Sequence, residues 1–216
     1  MSAVQITVRG SHSVRVPPEQ ATVHAALTGE GEAAEPVFRS VVAGLAQISA
    51  SLESRHDGDR GPVLRYAVDQ VRMGSHRPFH PDGTSSPTVH TATVSITATF
   101  ADFDELADWV GLCARVDGFG ISYIDWALTD ARRLKVERKT RQKAVRDAAR
   151  RAQDYADALD LGPVQVRAVS DPGGPIARKV MMASATAAAD SGEFALRPDD
   201  VEIAAEVEAV FTVRPR

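Results

Sequence analysis

Apolar and polar positions alternate at both ends of the chain and switch to helical spacing at three places between them. Val4, Ile6 and Val8 alternate with polar neighbours and predict a short strand. Gly10, Ser11, His12 and Ser13 predict a turn, before Val14, Val16 and the prolines Pro17 and Pro18. Ala21, Val23, Ala25 and Leu27 then oppose Thr22, His24 and Thr28, which marks a half-buried strand with one wet face. Val37, Val41, Leu45, Ile48 and Leu52 are spaced as one helical stripe, opening at Pro36 and ending near Ser54. Over 63–73, Leu64, Tyr66 and Val68 share one parity while Val71 and Met73 share the other, so a bulge is expected near Asp69 and Gln70. The 74–87 stretch, rich in Gly, Pro, Ser and His, predicts a loop.

The clearest strand covers 89–100. His90, Ala92, Val94, Ile96, Ala98 and Phe100 lie on one face, and four threonines and Ser95 lie on the other. Asp102 with Glu105 resembles a capping box. Phe103, Leu106, Val110, Cys113 and Val116 follow as a second helix, stopped by Gly118. Over 119–128, Ile121 and Tyr123 oppose Ile124 and Trp126, so both faces of that strand are expected to be partly covered. Near the C-terminus Val201, Ile203, Ala205, Val207, Ala209, Phe211 and Val213 alternate with Glu202, Glu206, Glu208 and Thr212, giving one apolar and one acidic face.

The longest helix is expected near residues 130–160. Thr129 and Asp130 supply its N-cap, and Gly162 with Pro163 its stop. About 31 helical residues would span about 46 Å. Its second half carries a narrow stripe of Val145, Ala148, Ala152, Tyr155 or Ala156, and Leu159, mostly alanine, so a neighbour could approach closely. Its first half is mostly charged, apart from Leu134 and Val136. After it, Val164, Val166 and Ala168 begin another strand. The succession of elements predicts an α+β fold, mostly antiparallel sheet with about three helices, in a single domain over 1–216 with a flexible loop at 172–198.

The totals narrow the picture further. The 216 residues carry a net charge of -4, so nucleic-acid binding is not implied by the whole. One cysteine rules out an intramolecular disulfide. No apolar run reaches the ~20 residues of a spanning helix. MSAVQITVRG lacks the features of a signal peptide, and the expected location is the cytoplasm.

Three segments resemble the SIMPL-domain family. ITVRGSHSVRVPPEQATVHAAL resembles its opening strand, turn, proline pair and second strand. KAVRDAARRAQDYADALDLGPVQVRAVSD is similar to its Ala-rich helix with a Leu-Gly exit before a strand, and PDDVEIAAEVEAVFTV to its closing strand. They lie in the family's order from end to end. The resemblance implies a mixed α+β fold and assembly into homo-oligomers. Its members are mostly bacterial envelope proteins, with one animal branch linked to kinase signalling, and it supplies no catalytic residue or cofactor to carry over.

The sharpest chemical feature is the basic half of the long helix. Residues 132–151 contain ten Lys or Arg against two acids, Glu137 and Asp147. Arg132, Arg133, Lys135, Arg138, Lys139, Arg141 and Lys143 are the candidate residues for an anionic or protein partner. The ordinary alternative is a solvated helix face, or one that pairs with the acidic strand of Glu202, Glu206 and Glu208. No aromatic residue interleaves with these cations, so nucleic acid is the less favoured partner. His76, His80 and His90 with Asp82 lack a metal-ligand spacing, and no metal or cofactor is expected. Cys113 lies on an apolar stripe and reads as a small buried hydrophobe. The expected function is therefore a non-enzymatic oligomeric scaffold or interaction protein with an unknown protein partner. Anion or nucleic-acid binding through 132–151 is the alternative.

Overall fold

The computed structural model describes residues 3–57, 60–79, 86–171 and 198–213. Its three helices and antiparallel sheets form the α+β fold that the patterning predicts. The loop expected over 172–198 lies, but for Pro198, outside the described residues. The described chain divides into two compact units. One holds residues 3–17, 128–171 and 200–213; the other holds most of 18–127, with 198–199.

The second of these units is built on strands β2 (Gln20–Gly31), β3 (Val63–Val68), β4 (Arg72–His76), β5 (Val89–Phe100) and β6 (Phe119–Ala127). They run β3-β5-β2-β6, with β4 also paired to β5. Helices α1 (Ala34–Glu53) and α2 (Phe103–Cys113) pack on the face carrying Ala21, Val23, Ala25 and Leu27. The bulge expected near Asp69 has a counterpart in the register. Val68 pairs with Ile96 and Arg72 with Thr93, so the β3–β4 side holds one residue more than β5 between those pairs. A strand therefore reaches His76 and takes in the first three residues of the stretch expected to be loop.

Two further local readings change. Asp102 does cap α2, accepting from the N–H groups of Asp104 and Glu105, but the Glu105 carboxylate receives Arg55 Nε at 3.3 Å instead of completing a capping box. In β6, Tyr123 pairs with His24 and Ile121 with Ala25, which leaves Ser122 as an extra residue. The bulge flips the parity, so Phe119 and Ile121 join Ile124 and Trp126 against the same core. Trp109, absent from the α2 stripe read in the sequence, is the largest fully buried side chain; its Nε1–H donates to Ser51 Oγ at 3.1 Å.

The other unit places helix α3 (Asp130–Ala158) on one face of a three-stranded sheet of order β1-β8-β7, with β1 Val4–Val16, β7 Gln165–Ser170 and β8 Val201–Val213. The turn expected over 10–13 is absent, because β1 pairs with β8 without interruption from Val4↔Val213 to Val16↔Val201. Gly10 serves a different purpose. A Cβ there would overlap the Ala144 carbonyl oxygen and the Ala148 backbone, and would stand 2.7 Å from the Ala148 Cβ. The glycine lets the helix settle directly on the strand.

That contact selects the buried row of α3: Val136, Thr140, Ala144, Ala148, Ala152 and Ala156, stepping by four. Thr140 fits because its Oγ1–H donates to the Val136 carbonyl at 2.9 Å. Val145, Tyr155 and Leu159, expected in the stripe, are instead 39%, 59% and 63% exposed. Their side chains are too large for a helix this close to its sheet. The helix also stops earlier than Gly162. Asp160 takes φ 55°, its N–H reaches the Asp157 carbonyl, and the Leu161 N–H reaches Ala156 O at 2.9 Å, a Schellman exit.

These contacts set opposite outcomes for two glycines. Gly10→Ala should lower stability by about 1–3 kcal/mol through overpacking. Gly111→Ala, on an exposed turn of α2 where a Cβ meets nothing within 4 Å, should raise it by about 1 kcal/mol. Urea midpoints measure both; a neutral Gly10→Ala would refute the close approach.

Candidate partner-binding face on the long helix

With the buried row set, the remaining residues of α3 fall into three exposed rows of the same four-residue step. One flank carries Lys135, Lys139, Lys143, Asp147 and Arg151. The opposite flank carries Arg133, Glu137, Arg141 and Val145, and the crest carries Leu134, Arg138, Gln142, Arg146 and Arg150. Two hydrogen bonds orient the flanks. Asp147 Oδ2 accepts from the Ser11 backbone N–H at 3.2 Å, so the lysine flank lies over the outer edge of β1. Gln153 Oε1 accepts from the Val164 N–H at 3.0 Å, so the opposite flank lies toward β7.

The seven candidate residues do not behave alike. Arg133 bridges Asp130 at 3.1 Å and Glu137 at 3.2 Å, and Arg141 reaches Glu137 at 3.8 Å. The hydrogen bond to Asp130, then the Glu137 charge, push the Arg133 guanidinium above its usual value. Arg132 stands in the first turn, its N–H donating to the Thr129 cap at 3.3 Å. Lys135, Arg138, Lys139 and Lys143 are exposed and make no ion pair with any described residue. Beyond them Asp147 binds Arg150, and Arg151 at 2.9 Å, with its own side chain only 13% exposed. The Ser11 N–H, followed by Arg151 and Arg150, holds the Asp147 carboxyl below its usual range against the opposing effect of burial.

The acidic strand does not neutralise this helix. The apolar face of β8 packs under α3, whereas Glu206 and Glu208 point to the other face and meet Arg9 of β1 at 3.7 and 3.6 Å. Pairing of the basic helix with those glutamates is thus excluded by the alternation of the strand.

The other chemical candidates separate in space. His76 pairs with Val89 and His90 with Ser75, so the two histidines point to opposite faces of the sheet; His80 and Asp82 lie outside the described residues. No cluster of three His, Cys, Asp or Glu suited to a metal occurs among the described residues. Cys113 is fully buried, and burial pushes its thiol up to about 12, where it stays protonated at neutral pH. A pair not singled out from the sequence is His24 and Asp125, 3.4 Å apart on the threonine face of the larger sheet, with Tyr123 stacked on the imidazole at 4.3 Å. Only the strand register, which sets residues about 100 positions apart side by side, reveals it. No helix among the described residues is long and apolar enough to cross a membrane.

These features define an α+β protein of two antiparallel sheets, one with α1 and α2 on a face and the other with α3, whose lysine flank makes no ion pair with any described residue. A family model described as SIMPL, protein of unknown function (DUF541), matches residues 6–211, and the chain belongs to this family. No curated protein matches the sequence. Among solved structures, a hydantoinase/carbamoylase family amidase from Burkholderia ambifaria aligns at 16% identity and a TM-score of 0.29. It covers 59% of this chain, which spans 34% of that chain's length, too slight a likeness to bear on activity.

Two substitutions test the charge pattern. Lys139→Glu replaces two like-charged contacts four residues apart by two attractive ones, and should stabilise the protein by about 0.5 kcal/mol at low salt; destabilisation would mean that Lys139 already has a partner. For Asp147, the folded pKa is depressed, so its contribution is complete above the unfolded value and is lost as pH falls through the folded one. The urea-midpoint gap between the native protein and Asp147→Asn should therefore be widest near neutral pH and narrow as pH falls below the ordinary carboxylate range. A gap unchanged over that range would show that the charge contributes nothing.

Proposed function

We propose that this SIMPL protein is a non-enzymatic interaction protein, acting as an oligomeric scaffold, and that its partner surface is the basic face of α3. The observation that carries the reading is the row Lys135, Lys139 and Lys143, unneutralised among the described residues and fixed on a helix whose opposite side is fully packed. Three ammonium groups about 6 Å apart along one flank repel one another and attract an anion. Self-assembly draws support from a different place. Val166 and Val169, 63% and 50% exposed, lie on the edge strand β7, and apolar edge strands favour pairing between chains.

The second reading is a polyanion-binding module for nucleic acid, favoured by Arg138 on the crest beside the lysine row. Tyr155 is the nearest exposed aromatic on α3, well past the lysines, so base stacking has little to contribute.

Combined replacement of Arg138, Lys139, Arg141 and Lys143 by Glu should abolish salt-sensitive retention on heparin or single-stranded DNA. Failure of the native protein to bind any polyanion at low salt would dismiss the basic face as a site. Light scattering should give a mass above the 23.1 kDa monomer, and Val166→Lys with Val169→Lys should reduce it. A constant monomer mass at micromolar concentration would remove the scaffold part.

A further inference from the structure

We infer that the lysine flank of α3 and the outer edge of β1 form one groove, and that it receives an extended acidic segment of a partner protein as an added antiparallel strand. This inference rests on the reading of α3's basic face as the partner surface, and names the kind of partner.

β1 is an edge strand of 13 residues in unbroken register with β8. No described strand pairs with its outer side. Such an edge presents a row of free N–H and C=O groups. The Ser11 N–H points outward, since it reaches Asp147 at 3.2 Å. Backbone groups alternate along an antiparallel strand, so those of Ser13 and Arg15 point outward as well. Pro17 and Pro18 end the ladder on one side. The Asp147 carboxylate, occupying the place of a partner carbonyl at Ser11, ends it on the other.

The helix runs antiparallel to β1 above this short stretch: Val136 packs with Val16, while Ala144 and Ala148 lie against Gly10. Lys139 and Lys143 therefore stand beside the open part of the edge, with Lys135 beyond. Their rise of about 6 Å per four residues is close to the roughly 6.6–6.8 Å between alternate residues of a strand. An added strand with acids at every second position would set each carboxylate against one lysine while its backbone pairs with Ser13 and Arg15. Asp147, held by Arg150 and Arg151, already seats one carboxylate on this flank.

No described edge strand of a second copy fits: the acidic strand β8 is paired on both sides, β3, β4 and β7 carry no acidic residue, and β6 carries Asp125 alone, without the alternating acids the lysines would meet. Nucleic acid would satisfy the lysines but leave the edge of β1 unused.

The face alternation makes the test specific. Ser13 and Arg15 carry their side chains on the face away from α3, so the partner residues that pair with them do too. In a labelled, end-blocked peptide of alternating Glu and Val, the valine amides face β1 and the glutamates face the lysines. N-methylation of the valine amides should weaken binding to the full-length protein about tenfold or more by anisotropy, whereas N-methylation of the glutamate amides should not. Hydrogen exchange at Ser13 and Arg15 should slow in the complex, and Lys139→Glu with Lys143→Glu should abolish it. Equal binding of the two methylated peptides, or unchanged exchange at Ser13 and Arg15, overturns strand addition. If the peptides fail while heparin or oligothymidine binds through the lysines, the basic-face reading stands and this inference falls; if no anion binds, both fall.

Discussion

The contact of Gly10 with the backbone of Ala144 and Ala148 governs the unit built on α3. A helix seated through glycine and alanine buries a strip one residue wide, because larger side chains on either side of it would lift the helix away. Three of the four rows of a 29-residue helix are then left to solvent. Alanine gives little apolar area for burial, so the hydrophobic contribution here comes mainly from the strand side, from Val8, Val207 and Phe211. The helix contributes closeness, and dispersion rewards closeness even where little area is hidden.

The same seating decides the charge pattern. Rotating α3 by one residue would bring Lys143 or Val145 over Gly10. The observed rotation instead puts Glu137 on the β7 side, where it neutralises Arg133 and Arg141, and Asp147 on the β1 side, where it serves Ser11, Arg150 and Arg151. The two acids of the basic stretch are consumed within four residues of themselves. What remains is a run of lysines that form no ion pair with any described carboxylate, in a chain whose total charge is negative.

Much of this was legible in the sequence, and the failures share a cause. Alternation and helical spacing identified the strands, the three helices and the seven basic candidates, because each is a local pattern. The turn expected over 10–13 failed because Gly10 and its Ser and His neighbours look like turn formers, whereas the glycine answers to a helix some 135 residues away. The α3 stripe held at Ala148, Ala152 and the alternative Ala156 but failed at Val145, Tyr155 and Leu159, because steric closeness outranked hydrophobicity. The opposed parities of β6 needed a bulge at Ser122, which only the pairing with β2 exposes. Among the candidates, the difference between Arg133 or Arg141 and Lys139 or Lys143 depends on helix rotation, which composition does not encode.

A lysine row above an edge strand also admits a plainer reading, as protection against edge-to-edge association. The two readings use one field and differ only in the sign of the incoming strand. A copy of β1 approaching the edge brings Arg9 and Arg15 along with its own lysine flank, and is repelled. A strand with alternating carboxylates is attracted by the same charges, and those charges lie where the backbone of β1 is still open between Asp147 and Pro17. Excluding the chain's own edge and selecting an acidic one are thus a single discrimination, built from attraction to one partner and repulsion of the other. Guard lysines usually sit on the edge strand itself; here they project from the helix above it, at a spacing close to that of alternate residues in a strand.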